Sequence, residues 1–124
     1  MICPKCGGDM QAVEYDGIEV NRCVGCSGLW FDMLEHEHLK AIEGSESIDL
    51  GRARDRRNYD RVDHIDCPVC KTQLIRMVDR SQPHIHYEAC TTCYGVYFDA
   101  GEFRDYKERT VLDFFRDLFT KERP

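Results

Sequence analysis

Eight cysteines are the residues of this chain whose type and spacing can do chemistry. They form two copies of one pattern, in which 16 or 19 residues separate two C-x2-C pairs. The eight are Cys3, Cys6, Cys23, Cys26, Cys67, Cys70, Cys90 and Cys93. A C-x2-C turn places two sulfurs on one side of a tight knuckle, and two facing knuckles offer the four thiolates of a tetrahedral zinc site. The pattern therefore predicts two Zn2+ ions, one for each copy.

Three other uses of paired cysteines compete with zinc. Disulfides belong to oxidising compartments, but the chain opens on Met1-Ile2-Cys3 with neither a basic nor an apolar leader, so we expect a cytoplasmic protein with reduced thiols. A thiol redox motif usually stands alone beside a βαβ pattern. Four sulfurs in a tetrahedron suit iron as well as zinc, so iron is the alternative to zinc, which remains the expected metal. A site closed by four sulfurs has no open position for substrate, which predicts a structural role.

Length and charge limit how the chain folds and what it binds. The chain has 124 residues, and modules of about 40 residues rarely fold on an apolar core alone, so metal must supply the missing stability. The formal net charge is -6, and eight thiolates with two zinc ions would bring it to about -10. This charge disfavours binding to phosphates. No apolar run reaches the ~20 residues of a membrane span, so we expect no membrane partner.

Each copy of the cysteine pattern predicts a hairpin and a third short strand. Asp16-Gly17 between two strand-like runs is a strong hairpin signal. The strands of the first copy are expected at residues 10–15, 18–23 and 28–31. Those of the second copy are expected at residues 74–78, 84–90 and 95–98, with a longer turn at 80–83. The fold is therefore mainly β.

A carboxylate pair follows each third strand. The pairs are Asp32 with Glu35 and Asp99 with Glu102. Their spacing is that of a capping box, so we interpret them as helix caps rather than as catalytic acids. After Asp32 the sequence predicts a short helix over residues 33–42. An alternative is a further metal site formed by Asp32, Glu35 and His36, which are spaced i, i+3, i+4.

Four large aromatic residues lie beside the second knuckles, and they are Trp30, Phe31, Tyr97 and Phe98. Rings of this kind stack on bases in proteins that bind single strands. Each module also needs an apolar core, and these are its largest side chains. We expect them in the core.

Two further segments could bind a partner. Residues 45–63 are predicted to form a charged, solvated linker, although their alternating charges could also support a short helix. The candidate contacts of this linker for nucleic acid are Arg52, Arg54, Arg56 and Arg57. Residues 107–124 are predicted to form an amphipathic helix. Its apolar residues include Val111, Phe114, Phe115, Leu118 and Phe119. These either pack within the chain or form a face for self-association or for a protein partner.

Both copies resemble a known family beyond their ligands. The segments Cys3-Pro4-Lys5-Cys6-Gly7-Gly8 and Ser27-Gly28-Leu29-Trp30-Phe31-Asp32, and in the second copy Gly95-Val96-Tyr97-Phe98-Asp99-Ala100-Gly101-Glu102, resemble the transcription factor IIB-type zinc-ribbon domains of small bacterial proteins. The resemblance implies two tandem zinc ribbons of three antiparallel strands, in residues 1–44 and 64–106. The first copy departs by carrying Met33-Leu34-Glu35 where the family often has Ala-Gly-Glu, and the second lacks the Gly-Gly after its first knuckle.

Together these features favour a non-enzymatic protein. Closed metal sites, an acidic balance and a surplus of apolar residues at the C-terminal end predict a module that recognises another protein. The alternative is a nucleic-acid-binding or transcription-associated factor that uses the arginine cluster. A thiol redox enzyme is a third hypothesis, and it would require a reactive cysteine of low pKa.

Overall fold

The computed structural model describes residues 1–50, 65–79 and 82–106, and its regular elements are short. The strands are β1 (Met10–Tyr15), β2 (Ile18–Cys23), β3 (Leu29–Phe31), β4 (Ile75–Asp79), β5 (Gln82–Ala89) and β6 (Val96–Phe98). The helices are α1 (Glu35–Lys40), a 3-10 helix (Ser45–Ile48) and α2 (102–106). The mainly β prediction is confirmed. Within these ranges no helix is long and apolar enough to cross a membrane.

All six strands belong to one antiparallel sheet, in the order β1-β2-β3-β6-β5-β4. Ribbon 1 (β1–β3) and ribbon 2 (β4–β6) therefore join through their third strands. In this junction Trp30 lies opposite Tyr97, its counterpart in the repeat. The two ribbons are thus related by an approximate two-fold axis that passes between these residues.

Alternation along β3 and β6 gives the sheet two apolar faces. On one face Trp30 and Tyr97 pack with cysteines of both sets. The opposite face carries a cluster that α1, the 3-10 helix and α2 help to cover. Its buried members are Val20, Leu29, Phe31, Leu39, Ile48, Val96, Phe98, Phe103 and Tyr106.

The two hairpins differ in how far the sequence predicted them. The bounds of β1 and β2 match the prediction, and Asp16 and Gly17 take the positive φ values, 52° and 80°, that a tight hairpin turn requires. In ribbon 2 the predicted turn at 80–83 is wrong, because Gln82 already pairs with Asp79. A register shift between Val78 and Asp79 absorbs the extra length.

The predicted cap of α1 is only half right. Glu35 Oε1 accepts the backbone N–H of Asp32 at 2.9 Å, as a capping box requires. The Asp32 carboxylate, however, accepts the indole N–H of Trp30 at 3.3 Å. Leu34 occupies the N-cap with a φ of 64° and no side-chain cap bond. As a result α1 begins at Glu35 rather than at residue 33.

The prediction of a solvated linker is wrong for its first residues. Ser45 and Ile48 of the 3-10 helix are buried, and so is Asp49. The Asp49 carboxylate accepts the backbone N–H of Gly101 at 2.9 Å and that of Arg104 at 3.0 Å. Asp49 therefore caps the start of α2 from the segment that joins the two ribbons, whereas Asp99 was the residue predicted to cap this helix. The remainder of the linker, residues 51–63, lies outside the described residues.

We predict opposite effects from two substitutions at one repeated position. Leu34 in ribbon 1 corresponds to Gly101 in ribbon 2, and both have positive φ, 64° and 86°. A side chain is strained in this conformation, so Leu34→Gly should raise the free energy of unfolding by about 1 kcal/mol, and Gly101→Ala should lower it by a similar amount. Denaturant unfolding of the zinc-saturated protein measures both. A Leu34→Gly variant less stable than the wild type would contradict the strain.

Candidate metal centres

The four knuckles share one backbone turn. In the first of them, Cys3 N–H donates to the Gly8 carbonyl at 2.8 Å and Gly7 N–H donates to the Cys3 carbonyl at 3.1 Å. The same pair of bonds recurs at Cys23, Cys67 and Cys90. Each turn needs one residue of positive φ, and these residues are Gly7, Ser27, Lys71 and Tyr94. The missing Gly-Gly of the second copy therefore does not prevent its knuckle from forming.

The eight cysteines lie in two separate groups of four. Site 1 contains Cys3, Cys6, Cys23 and Cys26, and site 2 contains Cys67, Cys70, Cys90 and Cys93. Within each site the sulfurs lie within 4.8 Å of one another, and all eight are free thiols. These are the two groups that the prediction of two zinc ions requires. Among the described residues, the proposed combination of Asp32, Glu35 and His36 forms no such group.

The sulfur spacing fits a tetrahedral metal. Zn–S bonds of about 2.3 Å place neighbouring sulfurs about 3.8 Å apart. The Cys3–Cys26 and Cys67–Cys93 sulfurs are 3.7 Å apart, and the Cys6–Cys23 sulfurs are 3.3 Å apart. Two zinc ions, one per site, would hold the knuckles together. Four protein ligands leave no coordination position for a substrate, so the role of the metal is structural.

Backbone amides around the sulfurs stabilise thiolates. Amides of Gly25 and Cys26 donate to Cys23 Sγ at 3.3 and 3.5 Å, although burial outweighs them and raises the pKa of Cys23. Amides of Thr92 and Cys93 donate to Cys90 Sγ at 3.4 and 3.5 Å. Burial acts to raise the pKa of Cys90, but these two amides, together with the side chains of Thr72 and Cys93, outweigh it and the pKa falls to about 6. Site 2 therefore has a ligand that ionises readily, as metal binding requires.

A cysteine of site 1 ionises still more readily. The hydrogen bond with Cys26 is the main reason that the pKa of Cys3 is lowered to about 4. Bonds from backbone amides and from Tyr97 also lower it, and burial opposes them. Burial, followed by the nearby Cys3 and Cys26, raises the pKa of Tyr97, so its phenol stays protonated and can donate to sulfur.

Two glycines allow the central rings to reach the opposite ribbon. A Cβ on Gly28 would lie 1.9 Å from Tyr97 Oη, and a Cβ on Gly95 would lie 2.2 Å from Trp30 Cζ2. Each ring thus covers a knuckle of the other ribbon. The prediction that Trp30 and Tyr97 are core residues is confirmed, and the same holds for Phe31 and Phe98, because all four are 0 % exposed.

Lys5 connects the two ribbons by a buried ion network. Its side chain is fully buried, and Nζ lies 2.7 Å from each carboxylate oxygen of Asp99 and 2.9 Å from Glu88 Oε1. Burial alone would lower the pKa of Lys5, but the two carboxylates raise it. Sequence reasoning missed this network, because Lys5 and Asp99 lie 94 positions apart and no local pattern joins them.

His36, the histidine of the alternative metal site, lies in the aromatic cluster. Its ring centroid is 6.1–6.4 Å from those of Phe31, Tyr87, Phe98 and Tyr106. Burial lowers its pKa, so the neutral form is favoured. The candidate contacts Arg52, Arg54, Arg56 and Arg57 and the apolar C-terminal set Val111, Phe114, Phe115, Leu118 and Phe119 lie outside the described residues.

We predict that the Lys5 network stabilises the pairing of the ribbons. Lys5→Met leaves Glu88 and Asp99 as buried carboxylates without their cation, so it should cost about 3–5 kcal/mol of unfolding free energy. Denaturant unfolding at saturating zinc measures this, with Lys71→Met, an exposed lysine beside site 2, as the matched control. If both variants kept wild-type stability, the network would not hold the ribbons together.

Comparison with known proteins agrees with this geometry. A zinc-ribbon family of the transcription factor IIB type, described as transcription factor zinc-finger, matches residues 2–42 and 66–109. No curated protein and no solved structure matches the chain. The two matched segments contain all eight cysteines and cover more than half of the sequence. The chain therefore belongs to the transcription factor IIB-type zinc-ribbon family and carries the ribbon twice.

Proposed function

We propose that this protein is a non-enzymatic interaction module, in which two structural zinc ions shape a sheet whose β4 edge binds an extended segment of another protein. The observation that carries the proposal is the apolar surface of β4. Ile75, Met77 and Val78 are 45 %, 36 % and 43 % exposed. An edge strand with such side chains is a template for pairing with a further strand.

The position of β4 leaves one side of its backbone unpaired within the described sheet. β4 is the last strand of the sheet and pairs with β5 alone. Ile75 lies opposite Ala89 and Met77 lies opposite Tyr87, so both extend the aromatic face of the sheet. An added strand would gain main-chain hydrogen bonds from β4 and apolar contacts from these two side chains.

The equivalent edge strand in ribbon 1 is β1, which carries a polar side chain at the first of these positions and packs against the rest of its ribbon. Gln11 takes the place of Ile75 there, and Val13 takes the place of Met77. Val13 is half-buried and packs against the aromatic cluster, and Tyr15 Oη donates to the Glu43 carbonyl at 2.7 Å. This contrast between matched positions of one repeat suggests that the apolar edge of ribbon 2 serves recognition.

We predict that charge on β4 abolishes binding of an extended peptide. A displayed library of random 12-residue peptides, selected on zinc-loaded full-length protein, should yield sequences with apolar residues at alternate positions. Ile75→Lys/Met77→Lys should weaken their binding at least about tenfold, because lysine opposes pairing at an edge. Gln11→Lys, at the position that matches Ile75, should leave binding unchanged.

Two outcomes would contradict this proposal. One is a selected peptide that binds the wild type and the β4 variant equally. The other is self-association in analytical ultracentrifugation that disappears when residues 109–124 are removed and is unaffected by the β4 substitutions. The second outcome would assign recognition to the C-terminal set around Phe114 and Leu118, with a second copy of the chain as the partner.

A nucleic-acid-binding role is the second candidate, favoured by the four arginines between residues 52 and 57. The large aromatic rings do not support it, because Trp30, Phe31, Tyr97 and Phe98 are 0 % exposed and cannot stack on bases. The net charge of -6 also opposes it.

Fluorescence anisotropy can test whether the arginine cluster binds nucleic acid. If this second candidate is correct, labelled DNA or RNA binds and affinity falls steeply between two salt concentrations. Replacing Arg52, Arg54, Arg56 and Arg57 with alanine then weakens binding and flattens the salt dependence. Absence of binding at low salt, or full affinity in the alanine variant, would remove this candidate.

A further inference from the structure

We propose that Tyr97 is a positioning residue for site 1, and that through it site 1 retains its metal longer than site 2. Tyr97 belongs to ribbon 2, yet its Oη lies 3.4 Å from Cys3 Sγ and 3.3 Å from Cys26 Sγ. Two of the four ligands in ribbon 1 thus share a hydroxyl group supplied by the other ribbon.

The surroundings of Tyr97 keep this hydroxyl on the sulfurs. The residue is 0 % exposed. Lys5 Nζ lies 5.5 Å from the ring centroid, and the Gly28 backbone approaches the ring so closely that a Cβ would overlap Oη. The Lys5 ammonium is itself held by Asp99, two residues after Tyr97. The ring therefore has no room to turn away.

A hydroxyl donor on a ligand sulfur affects how the metal is held. Outer-shell partners orient ligands, and their loss typically costs about 10–100-fold in metal affinity. The hydrogen bond also makes the ligand sulfur a weaker base and a weaker nucleophile, so the sulfur is less readily protonated or alkylated when its metal bond opens. Cys3 and Cys26 are protected in this way together, one from each knuckle of site 1.

Among the described residues, no side chain of ribbon 1 makes an equivalent bond to a sulfur of site 2. The residue that matches Tyr97 is Trp30, and its indole N–H donates to Asp32, at 3.3 Å. The hydroxyl near a site 2 sulfur is Thr72 Oγ1, which lies 3.6 Å from Cys90 Sγ and belongs to the same ribbon. Two ligands of site 2, Cys70 and Cys93, are only half-buried, whereas site 1 has one such ligand. Site 2 should therefore release its metal first.

The test follows metal loss at each site separately. Zinc-loaded full-length protein is mixed with excess EDTA and an alkylating reagent, and mass spectrometry of peptides gives the modification rate of each cysteine. In the wild type, site 2 cysteines should react first. Tyr97→Phe should accelerate the reaction of site 1 about tenfold, and it should change site 2 by less than about twofold.

A matched tyrosine provides the control. Tyr94 is 61 % exposed and lies beside site 2, so Tyr94→Phe should leave both rates unchanged. The proposal is overturned if site 1 reacts first in the wild type, or if Tyr97→Phe leaves the ratio of the two rates unaltered.

A second measurement needs no variant and applies even if Tyr97→Phe fails to bind two zinc ions. In the NMR spectrum of the zinc-loaded wild type, the Tyr97 hydroxyl proton should exchange slowly and show an Overhauser effect to the Cys26 β protons. A hydroxyl proton in fast exchange with water, with no such effect at low temperature, would overturn the proposal.

Discussion

The pairing of β3 with β6 is the interaction on which the rest of the structure depends. It places Trp30 opposite Tyr97 at the centre of one six-stranded sheet. Each ring then covers a knuckle glycine of the other ribbon, Gly28 or Gly95. Because neither ribbon completes its own metal-side core, the two repeats are halves of one folded unit rather than two independently folded domains.

Joining two copies in one chain allows the two halves to differ. In a symmetric dimer each contact occurs twice, but here Lys5 has an ion network with Glu88 and Asp99, whereas the matching knuckle position holds the exposed Val69. A second difference, Tyr97 in ribbon 2 against Trp30 in ribbon 1, gives site 1 a tyrosine hydroxyl from across the junction. The two copies thus share one ribbon scaffold, and the residues that differ between them form complementary contacts across the junction.

Local features of this fold could be predicted from the sequence, and contacts between the ribbons could not. Ligand spacing and the Asp16-Gly17 turn act over a few residues, so they were sufficient for both metal sites and the first hairpin. The cap of α2 comes instead from Asp49, 55 positions before Arg104, in a segment whose charges suggested solvent exposure. Nothing in a three-residue strand such as β3 indicates which other strand it pairs with, so the sequence could not predict the pairing of β3 with β6.

The same three-residue strands limit where function can lie. Along β3 and β6 every side chain is buried, with Trp30 and Tyr97 on the metal face and their neighbours on the aromatic face. The centre of the sheet is therefore fully used for stability. Side chains that are free to meet a partner lie at the periphery, on β4 and at knuckle tips such as Tyr94. Because zinc fixes each knuckle and the knuckles anchor the strands, the metal ions hold these peripheral surfaces in place.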